Sequence, residues 1–270
     1  MKSKNCSFAI PLFCLMILMH CGASLAASKP QVTAREVMER VKARDRGDDM
    51  TADIKVILTN RHGEKRSREM KTWRKDMEWG TKTRLLITAP PEIAGVGLLS
   101  WTYDDEDRDD LQWLYIPALK KVRMITSSEK GDYFMGTDFT YDDMDEDLSI
   151  NDYDYKILEV YEQDGKTMYR VESIPKTEQT ARKLGYGRII HEIRGDIWMI
   201  VHSRMFDRKD RPLKHLDIPH INKINDIWTP NMLIMVNEQT SHSTVFEFSN
   251  LQYNSRLKDE LFDRNYLDRE

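Results

Sequence analysis

The sequence predicts a mainly β protein, an antiparallel meander or barrel, on three observations. Apolar residues alternate with period two in run after run. Polar turn signals separate those runs at short intervals. Helical periodicity is confined to a few short patches.

The elements follow in order. Thr33 and Glu36 have capping-box spacing, and Val37, Met38 and Val41 fall on one side of a helix expected over 33–47, with Gly47 as its C-terminal cap. Its other face carries Arg35, Glu39, Lys42 and Arg46, so it should lie on the surface of something larger. From Met50 the period becomes two: Ala52, Ile54, Val56 and Leu58 alternate with Thr51, Asp53, Lys55 and Thr59, as in a strand buried on one face. Residues 60–64, with Gly63, read as a hairpin loop, and the return over 65–74 is very polar. A run over 83–88 stops at Pro90-Pro91. Runs over 98–103 and 111–116 place Leu99, Trp101 and Tyr103, then Leu111, Trp113 and Tyr115, on single faces. Residues 120–125 lead into a loop, with a short turn expected near Met144. Asp164-Gly165 joins 153–161 to 167–174 in the plainest hairpin, because both residues tolerate the positive φ of a tight turn. After a helical patch at 177–184, Gly195-Asp196 joins 188–194 to 197–206. Runs over 213–218, 221–224, 232–236 and 243–251 complete the set.

The first 26 residues read as a secretory signal. Lys2 and Lys4 precede an apolar stretch over 8–19, interrupted by Pro11, and Ser24 and Ala26 supply the small residues that a signal peptidase requires. Cleavage is expected after Ala26 or Ala27, leaving one domain over 27–270 outside the cytoplasm. Cys6, Cys14 and Cys21 all lie in the removed segment. Cys21 is preceded by Leu18, Met19 and His20, not by the small residues of a lipid-attachment site, so the mature protein is read as soluble. With no cysteine left, thiol catalysis and thiolate metal sites are excluded. Loss of the two lysines leaves 39 bases against 45 acids, a formal charge of −6, which argues against a nucleic-acid partner.

Chemical motifs are sparse. Asp104, Asp105, Glu106, Asp107, Asp109 and Asp110 form one acidic cluster; Asp138, Asp142, Asp143, Asp145, Glu146 and Asp147 form a second. Neither has the spacing and sharp glycine turn of a calcium loop, so both are expected to be solvated loops. The histidines His62, His191, His202, His215, His220 and His242 are scattered and match no zinc-protease pattern. There is no nucleophile elbow, phosphate loop or dinucleotide fingerprint, so an enzyme is not expected, and neither is a cofactor or metal. Trp73, Trp79, Trp101, Trp113, Trp198 and Trp228 fall in or beside strand-like runs, and methionine is frequent. A curved sheet with so few helices can present one such apolar face to a lipid.

Two motifs carry a family resemblance: DLQWLYIPALKKVR at 110–123 and GTDFTYDDM at 136–144, supported by Trp228-Thr229-Pro230, residues 232–237 and residues 257–267 with Phe262. Over 33–270 the chain resembles the outer-membrane lipoprotein-sorting proteins of the LolA/LolB-like superfamily, in a branch associated with RND-type exporters. The resemblance implies about eleven antiparallel strands bent into a half-barrel, with short helices over the concave face. It implies a carrier that binds a lipid or lipoprotein acyl chain in an apolar concavity and passes it between membrane partners through transient membrane contact. A lipid-sensing regulatory module is the alternative. Trp101, Trp113, Tyr115, Phe134 and Met135 are the expected apolar lining. Pro117 is expected to end a strand, Gly136 to make a tight turn, and Arg123 to pair with Asp138 or Asp142.

Overall fold

A computed structural model describes residues 32–105, 108–145 and 149–267. The expected signal segment, with both candidate cleavage sites and Cys21, lies outside the described residues, as do Glu106, Asp107, Glu146 and Asp147.

The alternating runs become strands of one large curved antiparallel sheet that does not close into a barrel. In chain order they are β1 (Asp49–Thr59), β2 (Lys65–Met77), β3 (Gly80–Ala89), β4 (Gly97–Tyr103), β5 (Leu111–Ile116), β6 (Lys121–Ile125), β7 (Tyr153–Gln163), β8 (Lys166–Pro175), β9 (Arg188–Arg194), β10 (Met199–Phe206), β11 (Pro212–Asp217), β12 (Ile221–Ile224), β13 (Ile227–Pro230), β14 (Met232–Asn237) and β15 (His242–Tyr253). The sheet has thirteen strands in the order β6-β5-β4-β3-β2-β1-β15-β14-β11-β10-β9-β8-β7, while β12 and β13 form a separate hairpin. That is more strands than the resemblance implies. The extra hairpin contains the Trp228-Thr229-Pro230 motif, where a run of four residues is too short for periodicity to register.

Two meanders, β1–β6 and β7–β11, meet where β15 returns to pair with β1. Side chains from β5 (Leu114), β1 (Val56), β15 (Phe246) and β9 (Ile189) share a single core cluster. Strands so far apart in the sheet can share a cluster only if the sheet bends round it. This inner face is the hollow of the fold.

The first helix, α1 (Ala34–Lys42), starts as its sequence dictates. Glu36 N–H donates to Thr33 Oγ1 at 3.2 Å, and Thr33 N–H donates to Glu36 Oε2 at 2.7 Å. The helix ends at Ala43, short of the expected cap; Gly47, at φ +69°, instead turns the chain into β1. Val37, Met38 and Val41 pack on Val171 of β8 and Ile193 of β9. The second helix, α2 (Glu178–Leu184), buries Ala181 and Leu184 and ends on Gly185 in the left-handed conformation. No described helix is long and apolar enough to cross a membrane.

Candidate functional site

The segment after β6, residues 126–145, enters the hollow as a plug. Its centre is a tight loop. Phe134 N–H donates to the Phe139 carbonyl at 2.8 Å, Thr137 N–H to the Phe134 carbonyl at 2.9 Å, and Met135 (φ +48°) and Gly136 (φ +75°) turn the chain in succession. Two consecutive left-handed residues are tolerable because one is glycine, which is the expected role of Gly136. Arg68 of β2 donates to the Met135 carbonyl at 2.5 Å. The loop drives Phe134, Phe139 and Tyr141 into the core, with Phe139 stacked on Phe246 at 4.4 Å between ring centroids.

The second acidic cluster is not a solvated loop. Asp138 is 3% exposed. Its Oδ2 accepts from Thr244 Oγ1 at 2.7 Å and meets His242 Nδ1 at 2.6 Å. Asp143 accepts from Tyr186 and from Lys214, whose Nζ stands 2.6 Å from Oδ2 and also donates to the Asp138 carbonyl at 2.8 Å. Asp145 accepts from Gln112 at 2.8 Å and lies 3.7 Å from the buried Lys130 ammonium, which Asp110 faces from 3.8 Å. The plug therefore carries its own carboxylates inward, together with its own cation Lys130, and meets Lys214 and Thr244 on the strands and Tyr186 just before β9. Burial, with Asp145 nearby, pushes the Asp142 carboxyl up to about 7, and burial raises Asp145 too. Burial, reinforced by Asp143, raises Tyr186 well above the usual phenol range.

Lys214 is the residue that the sequence reading missed. It occupies an inward position of β11 in step with Leu216, and its side chain is fully buried. The available signal was a lone cation at an apolar-phase position in a chain that also holds an unexplained acidic run. Arg123 is a second correction. It pairs with Glu129 at 2.8 Å rather than with Asp138 or Asp142, because β6 lies at the sheet edge and Arg123 is exposed there. Pro117 begins a short turn of 3₁₀ helix at Pro117–Leu119 and ends β5 as expected.

Beside the plug the hollow stays open. A cavity of about 270 Å³ lies between the plug, α1, α2 and strands β7 to β11 and β14, with Met38, Leu184, Ile189, Met205 and Leu216 in its walls and Asp142, Asp143 and Asp145 of the plug on one side. A smaller cavity of about 70 Å³ lies across Phe139 and Asp143, against Ile54, Leu85, Leu98 and Phe246. The plug thus divides the hollow. The larger cavity adjoins, at Asp152 and Lys183, a wider depression of about 710 Å³ whose walls are wholly polar, including Thr177, Gln179, Thr180 and Arg182. Small-molecule sites of roughly 300–1,000 Å³ are usual, so the cavity approaches that range with the plug in place.

The expected lining residues do not meet this space. Trp101, Trp113 and Tyr115 project from the opposite, outer face of β4 and β5, since their neighbours Leu98 and Leu114 take the inner one and successive side chains alternate. There they pack with Leu99 under Phe262 and Leu267 of the C-terminal segment, and Trp101 Nε1 donates to the Phe262 carbonyl at 3.1 Å. Phe134 is buried in the plug's contact with the sheet and Met135 packs beside it; neither lines the two cavities. The sequence phase was right, but the bulky aromatics belong to the face that the chain's own end covers. Among the described residues no cluster of His, Cys, Asp and Glu is arranged to hold a metal ion.

The comparisons agree with this architecture. A family model described as "Uncharacterized protein"-like matches residues 80–269, more than half of the chain. A DUF1329 family protein from Desulfovibrio piger superposes with a TM-score of 0.80 at 26% identity, covering 87% of this chain and 97% of that one. A putative outer membrane lipoprotein-sorting protein domain from Vibrio parahaemolyticus gives 0.80 at 29% identity, over 87% of this chain and 98% of that one. A LolA superfamily protein, NE2245 from Nitrosomonas europaea, shares the fold at a TM-score of 0.67 and 16% identity, over 87% of this chain and all of the other. No curated protein matches the chain.

Proposed function

We propose that this chain, which belongs to the DUF1329 family and is similar in fold to a putative outer membrane lipoprotein-sorting protein domain, is a periplasmic carrier that shields the acyl chain of a lipid or lipoprotein between membrane partners. The observation that supports this most directly is the 270 Å³ cavity, whose walls carry apolar side chains from α1, α2 and the strands and carboxylates from the plug that divides the hollow. Burying hydrocarbon yields roughly 0.8 kcal/mol per CH₂, so a chain of ordinary length needs a greasy groove and little polar recognition. The plug is held by ion pairs and hydrogen bonds to the strands, and its departure would join the two cavities that meet at Phe139 and Asp143. A carrier-like fold of this kind points to binding rather than catalysis. An RND-type inner-membrane exporter is the proposed donor, and transient contact at a membrane the means of exchange.

The test is native mass spectrometry of the protein purified from its own envelope, with uptake of the neutral fluorophore N-phenyl-1-naphthylamine as the second readout. A bound species of lipid mass, displaced by the probe, is the expected result. Protein that emerges bare and leaves the probe's emission unchanged overturns the carrier reading.

A further inference from the structure

A row of polar side chains, separate from the acidic cluster of the plug, crosses the wall of the larger cavity. Ser173 of β8, His191 of β9 and Ser203 of β10 all face it. His191 and Ser203 are register partners, and His191 Nδ1 meets Ser203 Oγ at 2.8 Å. Ser173 stands one step along, opposite Ile189. It is 1% exposed, and its hydroxyl makes no hydrogen bond to any described protein group. Buried hydroxyls are nearly always satisfied, because an unmade bond there forfeits the hydration lost on folding. The hydroxyl is thus an unused donor buried in the wall of the cavity.

The surroundings limit what that can be. Ile189, Met205 and Leu216 share the cavity wall with the row, the plug's Asp142, Asp143 and Asp145 line the same space, and burial pushes the His191 imidazole down to about 4, so it is neutral at ordinary pH. Of the nearby cations, Lys214 is bonded to Asp143, and Lys183 stands where the cavity opens to the polar depression. A carboxylate beside Ser173 would be buried without a counter-charge, which is unfavourable. A neutral carbonyl can accept one hydrogen bond and leave the rest of its chain among apolar side chains.

We propose that Ser173, supported by the His191–Ser203 pair, forms a polar subsite inside the acyl cavity, where its hydroxyl donates to the neutral ester or amide carbonyl of the cargo. The subsite rests on the carrier reading and deepens it: the ligand is an acyl ester or amide, not a free fatty acid or a plain hydrocarbon.

Two probes separate the subsite from general greasiness. Monolauroylglycerol and the dodecyl ether of glycerol have matched chains and head groups, and only the first has a carbonyl. Each is titrated against the mature protein preloaded with the neutral fluorophore N-phenyl-1-naphthylamine. Wild-type protein is expected to prefer the ester by about tenfold, the worth of one net hydrogen bond. Ser173→Ala is expected to abolish that preference while leaving the ether's affinity unchanged. Equal binding of the two by wild type, or a preference that survives Ser173→Ala, overturns the subsite and leaves the carrier reading standing. Binding of neither probe overturns both. A thermal melt of each variant confirms that the comparison is made between folded proteins.

Discussion

On the outer face of β4 and β5, Leu99 and Trp113 are sealed under Phe262 and Leu267, Trp101 packs edge-on to Trp113 at 5.0 Å, and Lys82 lies 4.6 Å from the Trp101 ring. On the inner face the same strands meet a plug rich in carboxylates, and β4 borders the smaller cavity. Both faces are covered by a segment of this chain, yet the coverings differ in chemistry. The outer one is largely hydrophobic, anchored at its start where the Ser255 and Leu257 N–H groups donate to Asp49 at 2.7 and 2.8 Å. The inner one is held by charge pairs from Lys130 to Asp110 and from Asp143 to Lys214. Apolar contact scales with area and does not depend on the protonation of single groups. A buried ion pair depends on both partners, and loses most of its value when either is removed or neutralised. The outer cover is therefore suited to permanence and the inner one to displacement.

The largest expected effect breaks the outer cover. Phe262 is fully buried, and Phe262→Ala should cost about 3–5 kcal/mol of stability in urea unfolding, through lost transfer energy and a residual void. The folded fraction should bind N-phenyl-1-naphthylamine with unchanged affinity. A large loss of affinity in folded protein would mean that the two faces are coupled, and the contrast drawn between them would be wrong.

Next comes the inner cover. Lys214→Met removes the fully buried cation and leaves Asp143 with the Tyr186 hydroxyl and the Thr140 N–H as donors. A loss of about 3 kcal/mol is expected, near the lower end for a broken buried pair because the phenol still donates. Exposure of the plug should rise with it, so hydrogen exchange over residues 126–145 should accelerate more than exchange over β1 and β15. Uniform acceleration across the molecule would show that the plug has no independence from the core.

The third effect is a pH dependence. Asp142 is raised from 3.8 to about 7 in the folded state, so the folded protein holds that proton more tightly than the unfolded chain. Its stabilising contribution is complete below about pH 4 and is lost as pH rises through 7. His191 acts in the opposite sense. Its value falls from 6.5 to about 4, so its contribution is present above 6.5 and is lost as pH falls through 4. The two slopes oppose each other between those values, and the net curve says little. The difference between wild type and Asp142→Asn isolates the carboxyl. The variant should gain on wild type steadily from pH 4.5 to 7.5 and end more stable by upwards of about 1 kcal/mol. Parallel curves would place Asp142 in a more hydrated setting than the plug provides.

How far the sequence could lead differs between the two faces in the same way. Strand phase was legible throughout, since half-buried strands such as β1 and β9 advertise their period of two, and the capping box fixed the start of α1. Which face would be the hollow was not. Both faces of β4 and β5 are apolar, with Leu98 and Leu114 on one and Leu99 and Trp113 on the other, so alternation within a strand cannot say which side the sheet bends toward. The aromatic side looked like a lipid site because nothing local shows that Phe262 and Leu267, about 150 residues later, return to cover it. The acidic run at 138–145 was opaque for a related reason. Its partners Lys214, Tyr186 and Thr244 come from strands and loops far along the chain, and a carboxylate's burial is decided by such partners rather than by its neighbours in sequence.

The smallest expected effect has the opposite sign to the others. Ser173→Ala should raise the stability of the empty protein by about 1 kcal/mol, because it deletes a buried hydroxyl that nothing in the fold satisfies. The same urea titration serves. Serine and alanine differ by one oxygen, and the neighbouring cavity already accommodates the missing volume, so the void left behind adds little. A destabilised variant would show that the hydroxyl is satisfied in solution, and that the inner face keeps no unused donor for a ligand. A stabilised variant that binds ester and ether alike would show a group retained at the expense of stability, which on the inner face of this sheet makes sense only if the cavity is meant to be filled.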